Sequence, residues 1–327
     1  MNSVIMHGCC GLRRVAAAYV HDHYGELAWA QGNRVAHRGL TDKAGTMQAL
    51  VETDVHRFAE RVLPWVAHAP VVHNVLATNV EAARDGRRTF DGALWLTVVD
   101  DGETVGVAHH TPPYGLLICP MPPAAARELA RAVAPLRPDL SGVNGLSETA
   151  EAFALAWGEL TGASVVPAMA QLLYETDRVA LPAGVPGRGR VATADDHDLI
   201  VDWALAFHAE AVPDQPLDGI ADTAARRIVD GEQLIWEVEG RPVCFAGASH
   251  PSAGVARIGP VYTPPAQRRH GYGGACTAAA SQRALDGGAV RCMLYTDAAN
   301  PTSNSIYRRI GYQLVDAARQ FTFAPAR

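Results

Sequence analysis

The residues best suited to chemistry lie in one stretch, IGPVYTPPAQRRHGYGGA, running from Ile258 to Ala275. An apolar segment enters a loop holding Arg268, Arg269 and His270, then Gly271, Gly273 and Gly274, and a long apolar helix is expected from about Ala275. Glycines between a strand and a helix remove the Cβ atoms that block close backbone approach. The first turn of the helix then offers unpaired N–H groups and the positive end of its dipole. With two arginines beside it, this pattern points to a phosphate or pyrophosphate.

Two familiar phosphate loops fit less well. No Lys-Ser/Thr follows the glycines, as a Walker loop requires. A dinucleotide fingerprint would use Gly271, Gly273 and Cys276 with Asp297 as the acid, making the chain an oxidoreductase. Two helices and a hairpin precede the loop, however, whereas a dinucleotide fold opens with it.

A second pattern follows about thirty residues on, from Asn300 through Ser303 and Tyr307 to Gly311 and Tyr312. Together the two resemble the GNAT superfamily of N-acetyltransferases. Arg268-x-x-Gly271-x-Gly273 matches that family's pyrophosphate motif, and Asn300-x-x-Ser303-x-x-x-Tyr307-x-x-x-Gly311-Tyr312 matches its downstream signature. The resemblance covers roughly 194–324 and extends to 50–178 only through the order of elements.

The resemblance implies an acyl-CoA thioester, acetyl-CoA by default, as co-substrate and no metal. The backbone of Val261, Tyr262 and Thr263 would hold the thioester carbonyl and pantetheine. The loop Arg268, Arg269, His270, Gly271, Tyr272, Gly273 and Gly274 would hold the pyrophosphate. Asn300 and Ser303 would meet the cofactor's arm. Tyr307 is the expected general acid, since a phenol can donate to a departing thiolate. The base is less determined: strand 255–262 contains Arg257 but no acid. Glu237 is taken as the candidate, with Glu239, Asp297, His208 and Glu210 as alternatives, and an amine deprotonated through water would need none of them. The expected activity is acetyl transfer to a primary amine of a small molecule or peptide. The alternative is a non-catalytic acyl-CoA sensor or scaffold that keeps the fold.

The elements that must position these residues repeat. From Leu50 the pattern reads helix, helix, hairpin, strand, helix, strand, helix, strand up to 178, and the same order returns after a Pro/Gly stretch at 179–191. The reading is α/β (α+β): two GNAT-like units, each a mixed, mostly antiparallel central sheet flanked by helices. They comprise a degenerate unit at 47–178 and a catalytic one at 192–327. In the first unit the loop after Leu116–Cys119 reads PMPPAAAR, with no glycine, and Pro122 and Pro123 lack N–H donors. No tyrosine stands in the helix Glu148–Leu160. That half is expected to wall the acceptor cleft rather than bind CoA, and His109, His110 and Tyr114 end a hairpin there. Residues 1–46 form a poorly patterned leader.

Composition bounds the rest. The 327 residues are 48% hydrophobic and 19% charged, with a formal charge of -6. That is a folded profile without the basic stripe of a nucleic-acid binder. The clusters Arg84, Arg87, Arg88 and Arg226, Arg227 read as solvated helix faces. Six cysteines form no CxxC pair and have no histidine at zinc-ligand spacing. No apolar run approaches the ~20 residues of a membrane helix, so a cytoplasmic setting is the default. Acceptor choice is expected to rest on loops 211–219 and 248–254, and either a monomeric pseudo-dimer or a homodimer is expected.

Overall fold

The computed structural model describes residues 47–213, 217 and 219–325. The leader expected at 1–46 lies outside the described residues, as does part of loop 211–219. The first half runs β1 (Gln48–Glu52), α1 (Val55–Val66), α2 (Asn74–Arg84), β2 (Leu94–Asp100), β3 (Glu103–His110), β4 (Leu116–Ile118), α3 (Pro123–Val133), β5 (Gly142–Leu146), α4 (Ser147–Thr161) and β6 (Ser164–Thr176). The second half repeats the order: β7 (Arg188–Val191), α5 (His197–Ala211), α6 (Ile220–Val229), β8 (Gln233–Val238), β9 (Arg241–Ala248), β10 (Val255–Tyr262), α7 (Tyr272–Asp286), β11 (Arg291–Asp297), α8 (Pro301–Arg309) and β12 (Gln313–Ala324).

The mixed, mostly antiparallel sheet flanked by helices is present, but the halves share it. One twelve-stranded sheet runs β1-β2-β3-β4-β5-β12-β6-β11-β10-β9-β8-β7. The order is palindromic with its centre between β12 and β6. Each half's last strand has crossed over: β12 pairs with β5 of the first half, and β6 pairs with β11 of the second. The two long strands also pair with each other, from Gln313 opposite Glu175 to Ala324 opposite Ser164. The strand that closes the first half, β6, is 13 residues long.

Local chemistry explains most of the elements. The β2–β3 hairpin turns at Asp101 and Gly102, both with positive φ, as a tight turn matching strand twist requires. Side chains alternate across β2: Trp95 packs with Phe58, Val62 and Leu76 of α1 and α2, while Leu94 and Leu96 pack with Leu129 and Phe153 of α3 and α4. α1 starts at Asp54, whose carboxylate accepts from His56 N at 2.9 Å. The Pro/Gly stretch at 179–191 is not all linker. Its last four residues form edge strand β7, with Arg188 opposite Glu237 and Val191 opposite Leu234. Short edge strands tolerate the glycine that disguised this one.

One feature matters most for function. Strands β10 and β11 are parallel and pair over only three residues, Val255–Arg257 with Arg291–Met293, before they part. On the other side, β10 slips in register against β9 between Ile258 and Val261. The slip turns Val261 toward α7, with Tyr272 and Cys276, and Tyr262 toward α5 and α6, with Ile200 and Ala224. The first half keeps the same gap, since β4 and β5 pair only from Leu116 to Ile118.

Candidate active site

The glycine loop forms at the end of β10. After Thr263 a short 3₁₀ turn, Pro265–Gln267, leads to Arg268 in extended conformation. Arg269 then takes φ +68° and Gly271 φ +84°. Left-handed residues among right-handed ones aim successive N–H groups into one concavity, an arrangement that suits anions. α7 begins directly after Gly271 and has no side-chain cap. Its first-turn donors and dipole therefore face outward.

Space around the three glycines is tight, and Gly271 also has positive φ. A Cβ on Gly271 would lie 3.0 Å from Val185 Cγ2, one on Gly273 3.3 Å from Thr263 Oγ1, and one on Gly274 3.2 Å from Ile306 Cγ2. The last two contacts tie the start of α7 to the end of β10 and to α8. A cradle of backbone donors with little room for side chains suits an anionic ligand.

The flanking residues are exposed, and two of them are engaged. Arg268 donates from Nε to Thr263 O at 2.9 Å and pairs with Glu210 at 2.6 Å. Tyr262 Oη also donates to Glu210, at 3.1 Å. The His270 ring stacks on Tyr272 at 5.3 Å.

Tyr307 lies one residue beyond Ile306, so α8 carries it against the same corner. Its ring meets Tyr312 edge-on at 6.2 Å. Burial pushes its hydroxyl up to about 12; Cys244 adds to this and the Ser303 hydroxyl opposes it. Cys244 in turn accepts from Thr263 Oγ1 at 3.2 Å. Val261, Thr263, the glycine loop, Ser303 and Tyr307 are thus gathered around one end of the β10–β11 gap.

Other expected residues make contacts within the protein. Asn300 is the N-cap of α8, with Oδ1 accepting from Ser303 N at 3.0 Å. Glu237 sits near the sheet's outer edge in an ion-pair network, 2.7 Å from Arg190 and 3.0 Å from Arg188. Arg190 first and Arg188 second hold its carboxyl below the ordinary range. A carboxylate stabilised in this way is a poor proton acceptor. Asp297 accepts from Ala299 N at 2.8 Å in the turn before α8, Glu239 forms the β8–β9 turn with φ +51°, and His208 is buried in α5.

The first half is built differently at the equivalent loop. Pro122 caps α3 and Pro123 opens it. Met121 N donates to Thr149 Oγ1 at 3.3 Å, which closes the loop against α4 from within. In α4, Phe153 and Trp157 stack on Phe323 of the exchanged β12. His109 and His110 are buried in β3, and His109 Nε2 lies 3.0 Å from Asn79 Nδ2.

The arginines taken as solvated faces do not all point to water. Arg87, Arg88, Arg226 and Arg227 line a cavity together with Arg257. The lone charge in the apolar strand Val255–Tyr262 was the available signal. The others come from segments about 140 residues apart, which no local pattern connects.

These features define the class. The profile of the Acetyltransferase (GNAT) family matches residues 198–312, and this part of the chain is a GNAT acetyltransferase domain. A mycothiol acetyltransferase of Salinispora tropica is 36% identical over 149 residues, which is 40% of this chain and 46% of that protein. The match thus spans about half the length of that relative. Among solved structures, an acetyltransferase of the GNAT family from Colwellia psychrerythraea aligns over 85% of this chain and 100% of its own, with TM-score 0.55 and 12% identity. A tandem GNAT protein from the clavulanic acid biosynthesis pathway aligns over 86% of this chain and 99% of its own, with TM-score 0.53 and 13% identity. At such identities these likenesses bear on the fold alone. No helix among the described residues is long and apolar enough to cross a membrane.

Proposed function

We propose that the chain transfers an acetyl group from acetyl-CoA to a primary amine of a small molecule or peptide. The observation that carries this reading is the uncapped start of α7, with left-handed Arg269 and Gly271 before it and Tyr307 one residue from the Ile306 contact. The loop Arg268–Gly274 would hold the pyrophosphate through backbone N–H groups. The parted end of β10, at Val261–Thr263, would supply backbone donors toward the thioester carbonyl. Acetyl-CoA supplies the activated acyl group. Tyr307, kept neutral by burial, would donate its proton to the departing sulfur. Glu237 receives no role as base, because its charge is already stabilised by two arginines. The amine would lose its proton through water.

We further read the first half as a partner that does not bind CoA, since its prolines remove the donors that a pyrophosphate needs. Calorimetry with acetyl-CoA and a thiol-release assay over an amine panel test the proposal. Gly271→Glu, which places a carboxylate at the cradle, should abolish binding. If it binds normally, the loop assignment is wrong. Wild type that binds acetyl-CoA but acetylates no amine would favour the non-catalytic sensor.

A further inference from the structure

A cavity of about 90 Å³ opens where the two halves meet. Its walls are α2 and the turn after it, α6 with the start of β8, residues 249–251 after β9, and Arg257 of β10. Neither half builds it alone. Five guanidiniums line it, from Arg87, Arg88, Arg226, Arg227 and Arg257, against the two carboxylates of Glu81 and Glu232.

Positive charge exceeds negative here, and Glu232 serves Arg226, Arg227 and Arg257 at once. Arg87 is held by Asp85 at 3.1 Å, and Arg226 by Asp230 at 3.3 Å and Glu232 at 3.4 Å. Arg88 rests on the Phe90 ring at 4.6 Å. No carboxylate of a described residue lies within ion-pair distance of Arg88, Arg227 or Arg257. The Arg227 Nε is buried and has no hydrogen-bond partner. Burial pulls the Arg227 guanidinium down to about 10, and Arg257 adds repulsion. Burial lowers Arg257 as well, and the Glu232 carboxylate opposes this. Guanidiniums crowded and desolvated in this way are costly unless an anion joins them.

The cavity also borders the gap between β10 and β11. Ala256 and Ile258 of β10 face the α7 side with Ala278. Alternation puts Arg257 on the opposite face with Val255, whose carbonyl accepts from Asn74 Nδ2 of α2 at 2.9 Å. Arg257 is the last β10 residue paired with β11 before the strands part. It also borders a second cavity of about 220 Å³ that reaches Tyr295, Gln171 and the open ends of β4 and β5. The glycine loop on the α7 side and the arginines on the α2 and α6 side therefore flank one gap.

We infer that the acceptor is a small amine carrying a carboxylate or phosphate, and that Arg227 and Arg257, with Arg88 at the rim, seat this anion while the amine enters the β10–β11 gap. The inference rests on the acetyl-transfer reading above and narrows its substrate class. Guanidinium forks match both anions in a bidentate manner. The excess positive charge has a second effect. It disfavours the ammonium form of the bound acceptor, which eases deprotonation where no carboxylate base has been assigned.

The test uses the full chain and matched acceptor pairs: amino acids against their amides, and amino sugar phosphates against the free amino sugars. At least one anionic member should show kcat/KM roughly tenfold to a hundredfold above its neutral partner. The two pairs separate carboxylate from phosphate. Arg227→Met and Arg257→Met should erase the preference while acetyl-CoA affinity by calorimetry stays unchanged. Inorganic phosphate should raise the melting temperature of wild type and of neither variant, a readout independent of acetyl transfer. Equal use of neutral and anionic acceptors by wild type, with no phosphate stabilisation, overturns the subsite and leaves the acetyl-CoA reading standing. Loss of acetyl-CoA binding by wild type overturns the reading beneath it.

Discussion

The Arg268 guanidinium meets the Glu210 carboxylate at 2.6 Å, joining the glycine loop to the end of helix α5. The same carboxylate accepts from Tyr262, which lies beneath Arg268 at 5.7 Å from ring centroid to guanidinium carbon. Glu210 is thus better explained as a tether than as a base. Both side chains of the pair are over 40% exposed, so the pair is worth at most about 1 kcal/mol. If Arg268 leaves Glu210 to meet the pyrophosphate, Glu210→Gln should tighten acetyl-CoA binding by up to roughly fivefold. Unchanged or weaker binding by calorimetry would show that Arg268 is not recruited from this pair.

Tyr307 makes a prediction about pH. Its hydroxyl is pushed up to about 12, chiefly by burial, so the proton donor stays intact throughout ordinary assay conditions. Tyr307→Phe should lower kcat by about a hundredfold with little change in acetyl-CoA affinity. Wild-type kcat should show no alkaline fall attributable to Tyr307 below about pH 11. A fall near pH 10 that disappears in the Phe variant would mean that the phenol is far more solvated than its packing against Tyr312 indicates.

Much of this corner was legible in the sequence because its signals are local. A glycine loop between strand and helix, and a helix with Asn300 at its start and Tyr307 two turns in, are short-range patterns. Each element can be read where it stands. What escaped depends on pairing at long range. β7 hid in a Pro/Gly stretch because a four-residue edge strand has no period to detect. The crossover of β6 and β12 leaves no local trace, since either pairing buries the same alternating residues. The Arg88, Arg227 and Arg257 cluster is assembled by the fold from three separate segments. Glu237 had the right strand and the wrong neighbours: Arg188 and Arg190 meet it only because β7 exists.

Acid should destabilise the first half. His73 is buried, stacked on Trp65 at 4.4 Å, and its Nδ1 lies 3.3 Å from Val66 O. Burial lowers its pKa from 6.5 to about 4, and that of His109 to about 3. A depressed folded pKa means that the stabilisation is present above pH 6.5 and is lost as pH falls through 4. For His73 the loss is on the order of 3 kcal/mol. Chemical denaturation at stepped pH should show a plateau above about pH 7 and a decline below it. His73→Phe keeps a ring against Trp65 and should flatten part of that decline. An unchanged slope in this variant would place the acid sensitivity elsewhere.

The exchanged strands predict how the chain folds. β12 lies between β5 and β6, and β6 lies between β12 and β11, so each half's sheet is completed by the other half's last strand. Phe321 and Phe323 of β12 pack in the core of the first half with Phe153 and Trp157, while Leu172 and Tyr174 of β6 pack in the second-half core with Cys292 and Leu294. A fragment of residues 47–178 produced alone would expose the edge of β5 and the apolar surface that Phe321 and Phe323 cover. A fragment of residues 179–327 would leave β11 unpaired on one side. Neither should give a monomer with a cooperative melt, and each should aggregate or pair with itself by strand exchange. Produced together, the two fragments should assemble one-to-one and recover acetyl-CoA binding. Light scattering and calorimetry on the separate and mixed fragments check this. A stable, monomeric 179–327 fragment that binds acetyl-CoA on its own would show that the second half does not depend on the exchanged strand.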